Sequence, residues 1–177
     1  NKLVMADLEG MQQLANGEAV FDALEATIDT SLFKKTWRIN STAAKAAICL
    51  LAQYEPRSFL TGAAVDLSDA MAAYNAREFH HIYPKAFLAD LGIGFHEANV
   101  IANICLLTSG DNKAISDRNP SDYFAEIPAE HKSKVFCAAF IPNETADGSK
   151  PFSEFLNLRA KALATAASDL IAKGSPS

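Results

Sequence analysis

Apolar residues recur at helical spacing along most of this chain and switch to strand-like runs twice near its middle. Leu3, Met5, Leu8, Met11 and Leu14, then Val20, Phe21, Leu24 and Ile28, predict helices over 3–15 and 18–30, with Asn16-Gly17 as the break between them. An alanine-rich stretch over 42–54, opened by Asn40 or Ser41 and closed by Glu55-Pro56, predicts a third helix. A turn over 56–62 follows, and Asp66 or Ser68 then opens a short helix that reaches Asn75. Phe79-His80-His81-Ile82-Tyr83 favours β structure and is stopped by Pro84. Beyond it come a helical turn over 85–91, a Gly92-Ile93-Gly94 loop and a second β-like run over 101–107. Ser, Gly, Asp and Asn over 108–112 predict a turn. Pro120 suits the first turn of a helix, and two more helices fall around 130–140 and 151–173, separated by a loop over 143–150 and followed by a flexible tail from Gly174. The expected fold class is mainly α. A compact strand-and-helix module over 76–124 sits between an N-terminal helical region, 1–75, and C-terminal helices, 125–177.

With 177 residues, 49% hydrophobic and 21% charged, the composition is that of a globular domain able to bury one sizeable core. No apolar run is long enough to span a bilayer and no charged-then-apolar leader opens the chain, so a cytoplasmic protein is expected. Cys49, Cys105 and Cys137 are odd in number, widely spaced and set among apolar residues, which points to buried free thiols rather than disulfides or structural zinc. The first residue is Asn1, which suggests a piece of a longer polypeptide. The net charge is −5, and no third of the sequence is basic. Proteins that hold nucleic acid by charge alone are therefore not the expectation.

The chemistry-bearing residues cluster in the middle module. His80-His81 ends the first β-like run, Asn103 opens the apolar part of the second, and Asn112 follows in the polar segment. Cutting a phosphodiester needs a base for the attacking water and charge relief on the phosphate. A neutral histidine, with a pKa of about 6.5, can take that proton at neutral pH, and a divalent cation with few protein ligands can supply the rest. Taken singly, paired histidines beside a proline are surface or packing residues, and each asparagine is a turn residue. Asp111 and Asp117 read as helix caps before ligands, His96 and His131 as surface residues, and Trp37 as core. Lys34, Lys35 and Arg38 read as a solvated helix end. The ordered set of four is what favours phosphodiester chemistry.

In that order and spacing the residues resemble the HNH nucleases, also called His-Me finger or ββα-metal nucleases. His80-His81-Ile82-Tyr83-Pro84 looks like their first element, Asn103-Ile104-Cys105-Leu106-Leu107 the second, and Asp111-Asn112-Lys113-Ala114-Ile115-Ser116-Asp117 the third, on the finger helix. More narrowly, the chain is similar to the C-terminal HNH domain of GmrSD-like restriction proteins, through 45–51, Asn119-Pro120-Ser121-Asp122-Tyr123-Phe124 and Phe155-Leu156-Asn157-Leu158-Arg159 as well. The resemblance implies a small ββα-metal finger flanked by helical bundles. It implies His81 as general base, His80 and Asn112 as metal ligands, and Asn103 as the amide that holds the loop and orients His81 by a hydrogen bond. The four side chains are expected to converge on one small polar cleft. It further implies Mg²⁺ or Mn²⁺ as cofactor, DNA as partner and substrate, and an NTP-using ParB-like domain preceding this one in the same polypeptide. Lys85, Lys113 and Arg118 are the candidates for phosphate contacts. The usual carboxylate before the base is replaced by His80, which makes the implied metal site less negative. The competing expectation is a catalytically weak interaction module that docks a partner domain.

Overall fold

The computed structural model describes residues 11–13, 15–17, 28–68 and 80–174, with backbone alone at the last two. Two units divide the chain, one made of 1–27 with 168–177 and the other of 28–167. The second carries every candidate site residue.

Helices dominate the described residues. They are α1 (Thr42–Gln53), α2 (Lys85–Asp90), α3 (Phe95–Ala98), α4 (Ser109–Ile115), α5 (Pro120–Glu126), α6 (Ala129–Ala138) and α7 (Phe152–Gly174). Strands β1 (His80–His81) and β2 (Ile104–Cys105) pair antiparallel, His80 opposite Cys105 and His81 opposite Ile104. No helix among the described residues is long and apolar enough to cross a membrane.

Local sequence explains most of these boundaries. Ser41 caps α1, its hydroxyl accepting from the Ala44 N–H at 3.1 Å, and Asn119 caps α5 in the same way with Pro120 in the first turn. Asp66 holds the Ser68 N–H at 2.7 Å, and Leu67 and Ser68 begin a helix whose continuation to Asn75 lies outside the described residues. So do the expected helix over 3–15 apart from helical residues 11–13 and 15, and the first part of the one over 18–30. Its last part is not α-helix: Ile28 and Asp29 are irregular, and Asp29 caps a 3-10 turn at Thr30–Leu32. Asn16-Gly17 is a turn, as its composition suggests.

Two expectations for the middle module need correction. Among the described residues the strands are shorter than the β-like runs, only His80–His81 and Ile104–Cys105, because Ile101–Asn103 winds into a 3-10 turn and Ile82 leaves the ladder after one bond to the Asn103 carbonyl; Phe79 lies outside the described residues. Residues 108–112 are not a turn but the start of α4. Thr108 and Asp111 form a reciprocal capping box, so the polar residues that favour turns here cap a helix instead.

The core is two clusters. Ile104 and Leu106 pack into one with Trp37, Ile48, Leu51 and Leu163, while Cys105 and Leu107 pack into the other with Phe59, Tyr123, Phe124 and Phe155. Alternate residues of one strand face opposite ways. The β2 segment is thus buried on both faces, which is why it reads as a continuous apolar run. On one edge it is flanked by 33–37, whose backbone bonds to 99–102 through Trp37 N to Asn99 O (2.8 Å), Ile101 N to Lys35 O (3.1 Å) and Ala102 N to Phe33 O (2.7 Å). Gly148, at φ +69°, has to be glycine: a Cβ there would run into the Ser121 backbone at the start of α5.

Candidate functional site

His80 and His81 both lie on β1 and both are buried, at 4% and 9% exposure. Residues opposite one another in a pair share a face. His80 therefore stands on the Cys105 face, toward the cluster that contains Ile115 of α4, and His81 on the Ile104 face. The two rings flank the ribbon rather than sharing one side, because the two-residue strand keeps its pleat. Neither ring nitrogen of His80 has a hydrogen-bond partner among the described residues. A buried imidazole without partners is costly, and such a nitrogen is a competent ligand for a cation.

His81 is held by Asn99, whose Oδ1 lies 3.0 Å from the ring Nε2. Asn99 in turn donates from Nδ2 to the Trp37 carbonyl at 3.3 Å. Asn103 does something else. Its Oδ1 accepts from the Tyr83 N–H at 2.9 Å and its Nδ2 donates to the carbonyls of Tyr83 (3.0 Å) and Ala98 (2.9 Å). Asn103 thus clasps the turn at Tyr83, and the amide against His81 Nε2 belongs to Asn99. The reason is geometric: Asn103 is wholly buried behind the turn, and both of its amide hydrogens are already committed to carbonyls. Sequence reasoning missed Asn99. The available signal was an asparagine between Ala98 and Val100, in a segment otherwise leading into the core.

The turn after β1 is fixed from several directions. The Tyr123 hydroxyl donates to the Ile82 carbonyl and the Tyr83 hydroxyl to the Lys150 carbonyl at 3.1 Å. Burial pushes the Tyr83 phenol up to about 12, with Asp147 adding to the shift, and raises Tyr123 well above its ordinary value, helped by Cys105 and Tyr83. Arg159 of α7 lies wholly buried beneath, donating to the carbonyls of Ala139 (3.0 Å) and Ala102 (2.6 Å). Burial lowers its guanidinium to about 10, against the opposing pull of Cys105 and Tyr123.

Asn112 sits on an exposed turn of α4, and no hydrogen bond joins its side chain to His80, His81 or Asn103 among the described residues. Its neighbour Asp111 is buried at 1% and is occupied structurally. It accepts from Ser58 Oγ (2.7 Å) and Thr108 Oγ1 (3.0 Å), tying α4 to the 58–60 turn. Asp117 is exposed. No group of three or more His, Cys, Asp or Glu residues among the described residues is placed to hold a metal. A cavity of about 10 Å³ beside Cys105, Phe59 and Leu51 has room for one water, not a substrate.

The phosphate-contact candidates are differently placed. Arg118 is taken up by Glu126 in a two-pronged ion pair, one contact at 2.9 Å. Lys85 is exposed with its ammonium 5.4 Å from the centre of the Phe95 ring, and Lys113 is exposed on α4. His96 is exposed and His131 half-buried against Gly62. All three cysteines are free, but Cys49 and Cys137 are exposed, correcting the expectation that all three are buried: each falls on the solvent side of its helix, α1 and α6, among apolar sequence neighbours that turn inward. Burial pushes the remaining thiol, Cys105, up to about 12, opposed by Arg159 and supported by Asp111.

No family model and no solved structure matches the chain. Over 62 residues it is 37% identical to the "Uncharacterized protein MJ0686" of Methanocaldococcus jannaschii, a stretch covering 35% of this chain and 11% of that relative. The chain therefore spans about a tenth of the length of the curated relative it matches.

Proposed function

We propose that this chain is a metal-dependent DNA endonuclease or nickase domain of the HNH type, used in restriction of foreign DNA. The observation that carries the reading is the order of the parts. A strand bearing His80 and His81 pairs with a strand introduced by Asn103, and a helix bearing Asn112 follows. In this reading His81 takes the proton of the attacking water. Asn103 acts at one remove, clasping the turn that follows the base. His80 and Asn112 would hold a divalent cation, for which the partnerless ring nitrogens of His80 suit the donor role. When bound, the cation supplies charge relief at the phosphate and the leaving oxygen. Lys85 and Lys113 are the cations available to the DNA backbone. An NTP-using ParB-like domain in the same polypeptide would deliver the substrate.

The second reading is a catalytically weak module that docks a partner. It is favoured by the burial of both histidines and by the exposed apolar side chains of Leu91 (61%) and Phe95 (60%) on the 85–98 segment. Incubation with supercoiled plasmid separates the two. The nuclease reading expects conversion to open-circular or linear DNA with Mg²⁺ or Mn²⁺ and none with chelator. Intact plasmid under every metal condition leaves the docking module.

A further inference from the structure

The two helices on either side of the His81–Asn99 contact meet again at the surface. α2 begins at Lys85, four residues after His81, and α3 begins at Phe95, four residues before Asn99. His81 and Asn99 are joined at 3.0 Å, and the Lys85 ammonium stands 5.4 Å from the centre of the Phe95 ring. The Asn99 N–H donates to the Phe95 carbonyl at 2.9 Å, so the ring is carried on the helical turn that sets Asn99 against the histidine. The loop between the helices is closed by the Ile93 N–H on the carbonyl of Leu88 (2.9 Å), itself wholly buried. The ring on this anchored backbone is nevertheless 60% exposed, with the His96 ring against its edge at 5.7 Å.

Lys85 restricts what can cover that ring. No carboxylate among the described residues pairs with it. A dry protein face laid over Phe95 would bury the ammonium, which is unfavourable unless the partner brings a carboxylate to the same spot. A DNA strand carries both complements in every nucleotide, a flat base for the ring and a phosphate for the ammonium. Paired bases have both faces covered by their neighbours in the stack, so the face has to come from an unpaired base.

Building on the nuclease reading, we propose that Phe95 and Lys85 form a stacking platform for one unpaired base of the DNA strand, with Lys85 on the adjoining phosphate. The substrate class is then DNA that is single-stranded or opened at the site of attack, rather than a fully paired duplex. The stack is an uncharged contact, so it adds discrimination to an acidic chain without requiring a basic surface.

The test is binding in chelator, where no strand is cut, read by fluorescence anisotropy of a labelled oligothymidylate and of a matched duplex at low ionic strength. The single strand should bind the wild-type chain more tightly than the duplex. Phe95→Ala should weaken the single strand ~5–150-fold, the scale of one base–aromatic stack, and leave the duplex and the salt slope unchanged. Phe95→Trp should retain single-strand binding. Lys85→Ala should lower the salt slope by about 0.7, the contribution of one phosphate on a single strand. Independently of any variant, an iodouracil-substituted strand irradiated with the wild-type chain should cross-link at Phe95, located by mass spectrometry of the digest. A single strand held no more tightly than duplex overturns the proposal, as do cross-links that avoid Phe95 or unchanged single-strand affinity in folded Phe95→Ala. A concentration-dependent dimer that is lost in Phe95→Ala, with strand affinity unchanged, assigns the ring to a second copy of the chain and overturns it as well. Because cleavage does not enter, a chain that stacks the strand at Phe95 yet never cuts plasmid overturns the nuclease reading and not the platform. A chain that cuts plasmid while Phe95→Ala binds the strand as the wild type does overturns the platform alone.

Discussion

Asn103 holds Tyr83 from both sides, accepting from its N–H at 2.9 Å and donating to its carbonyl at 3.0 Å. The side chain thereby does for the turn after β1 what a neighbouring strand would do, satisfying backbone groups that would otherwise be buried without partners. It can do so because the Ile101–Asn103 turn brings the amide level with the residue that leaves the ladder.

Asn103→Ala removes three buried hydrogen bonds and leaves the Tyr83 N–H and the carbonyls of Tyr83 and Ala98 unmet. At ~1–3 kcal/mol for each such group, the expected loss is about 3 kcal/mol or more. Asn103→Asp should not rescue, since a carboxylate would face two carbonyl oxygens. Urea unfolding checks both variants. A loss under ~1 kcal/mol in Asn103→Ala, on the same scale, would show that the turn holds itself.

Alkaline pH should weaken the fold through Cys105. Its thiol ionises at about 9 when unfolded and only at about 12 in the buried site. Above pH 9 the unfolded chain therefore releases a proton that the folded chain keeps, so stability falls as pH rises. The slope from this one group rises from about 0.7 kcal/mol per pH unit at pH 9 toward about 1.4 above pH 10. Tyr83, raised from 10.0 to about 12, adds to the fall above pH 10. Arg159, lowered by burial to about 10, opposes it above the same point, because the folded guanidinium loses its proton first. The interval from pH 9 to 10 is thus the clean window. Cys105→Ala should flatten the wild-type decline in urea midpoints there, and parallel declines in the two proteins would remove Cys105 as the cause.

How much of this is legible in the sequence depends on whether local signals and burial agree. At α1 they agree: alanines, a serine cap and a closing proline place the helix within a residue or so. Around Asn103 they do not. The apolar run over 101–107 looks like one strand because both faces are buried, yet only Ile104–Cys105 pairs, and the first residues wind to bring the asparagine to Tyr83. The capping box at Thr108 looks like a turn because the same short polar side chains serve both purposes. The histidine pair and Asn103 can be picked out by residue type. Asn99 cannot, since its value lies in a bond to a histidine 18 positions away and a carbonyl 62 positions away.

The capping box also makes a prediction. Asp111 joins α4 to the 58–60 turn through Ser58 Oγ (2.7 Å) and Leu60 N (3.3 Å), besides capping the helix with Thr108. Asp111→Ala should cost about 2–3 kcal/mol, as a buried acceptor whose donors are left unmet. The exposed Asp117→Ala should stay within ~0.5 kcal/mol. Thermal or urea unfolding of the pair settles the contrast. Equal losses would mean that Asp111 is not holding the two segments together.

Under the nuclease reading, His81→Ala should lower plasmid cleavage by ~10²–10⁴-fold, the usual worth of a general base. His80→Ala should instead raise the metal concentration that cleavage needs, with part of the activity returning as Mn²⁺ or Mg²⁺ is raised. The two phenotypes are distinguishable by titrating metal at fixed DNA. Full activity in His81→Ala with a dead His80→Ala would exchange the two roles. Full activity in both would remove β1 from the chemistry.

DNA binding by this chain alone should be weak. The net charge is −5, Arg118 is already engaged by Glu126, and Lys85 lies against Phe95, leaving little to neutralise phosphates around the proposed site. Each phosphate neutralised contributes a slope of about −0.9 in log affinity against log salt, so a slope of about −1 to −2 is expected rather than the −5 or steeper of a basic DNA-binding surface. A gel shift at about 150 mM salt should show little retarded duplex. Glu126→Gln, which frees Arg118 and removes a negative charge, should tighten binding modestly and steepen the slope by about one unit. A steep slope in the wild-type chain would mean that Lys34, Lys35, Arg38 and Lys113 act together on DNA, and that delivery by a separate domain is not required.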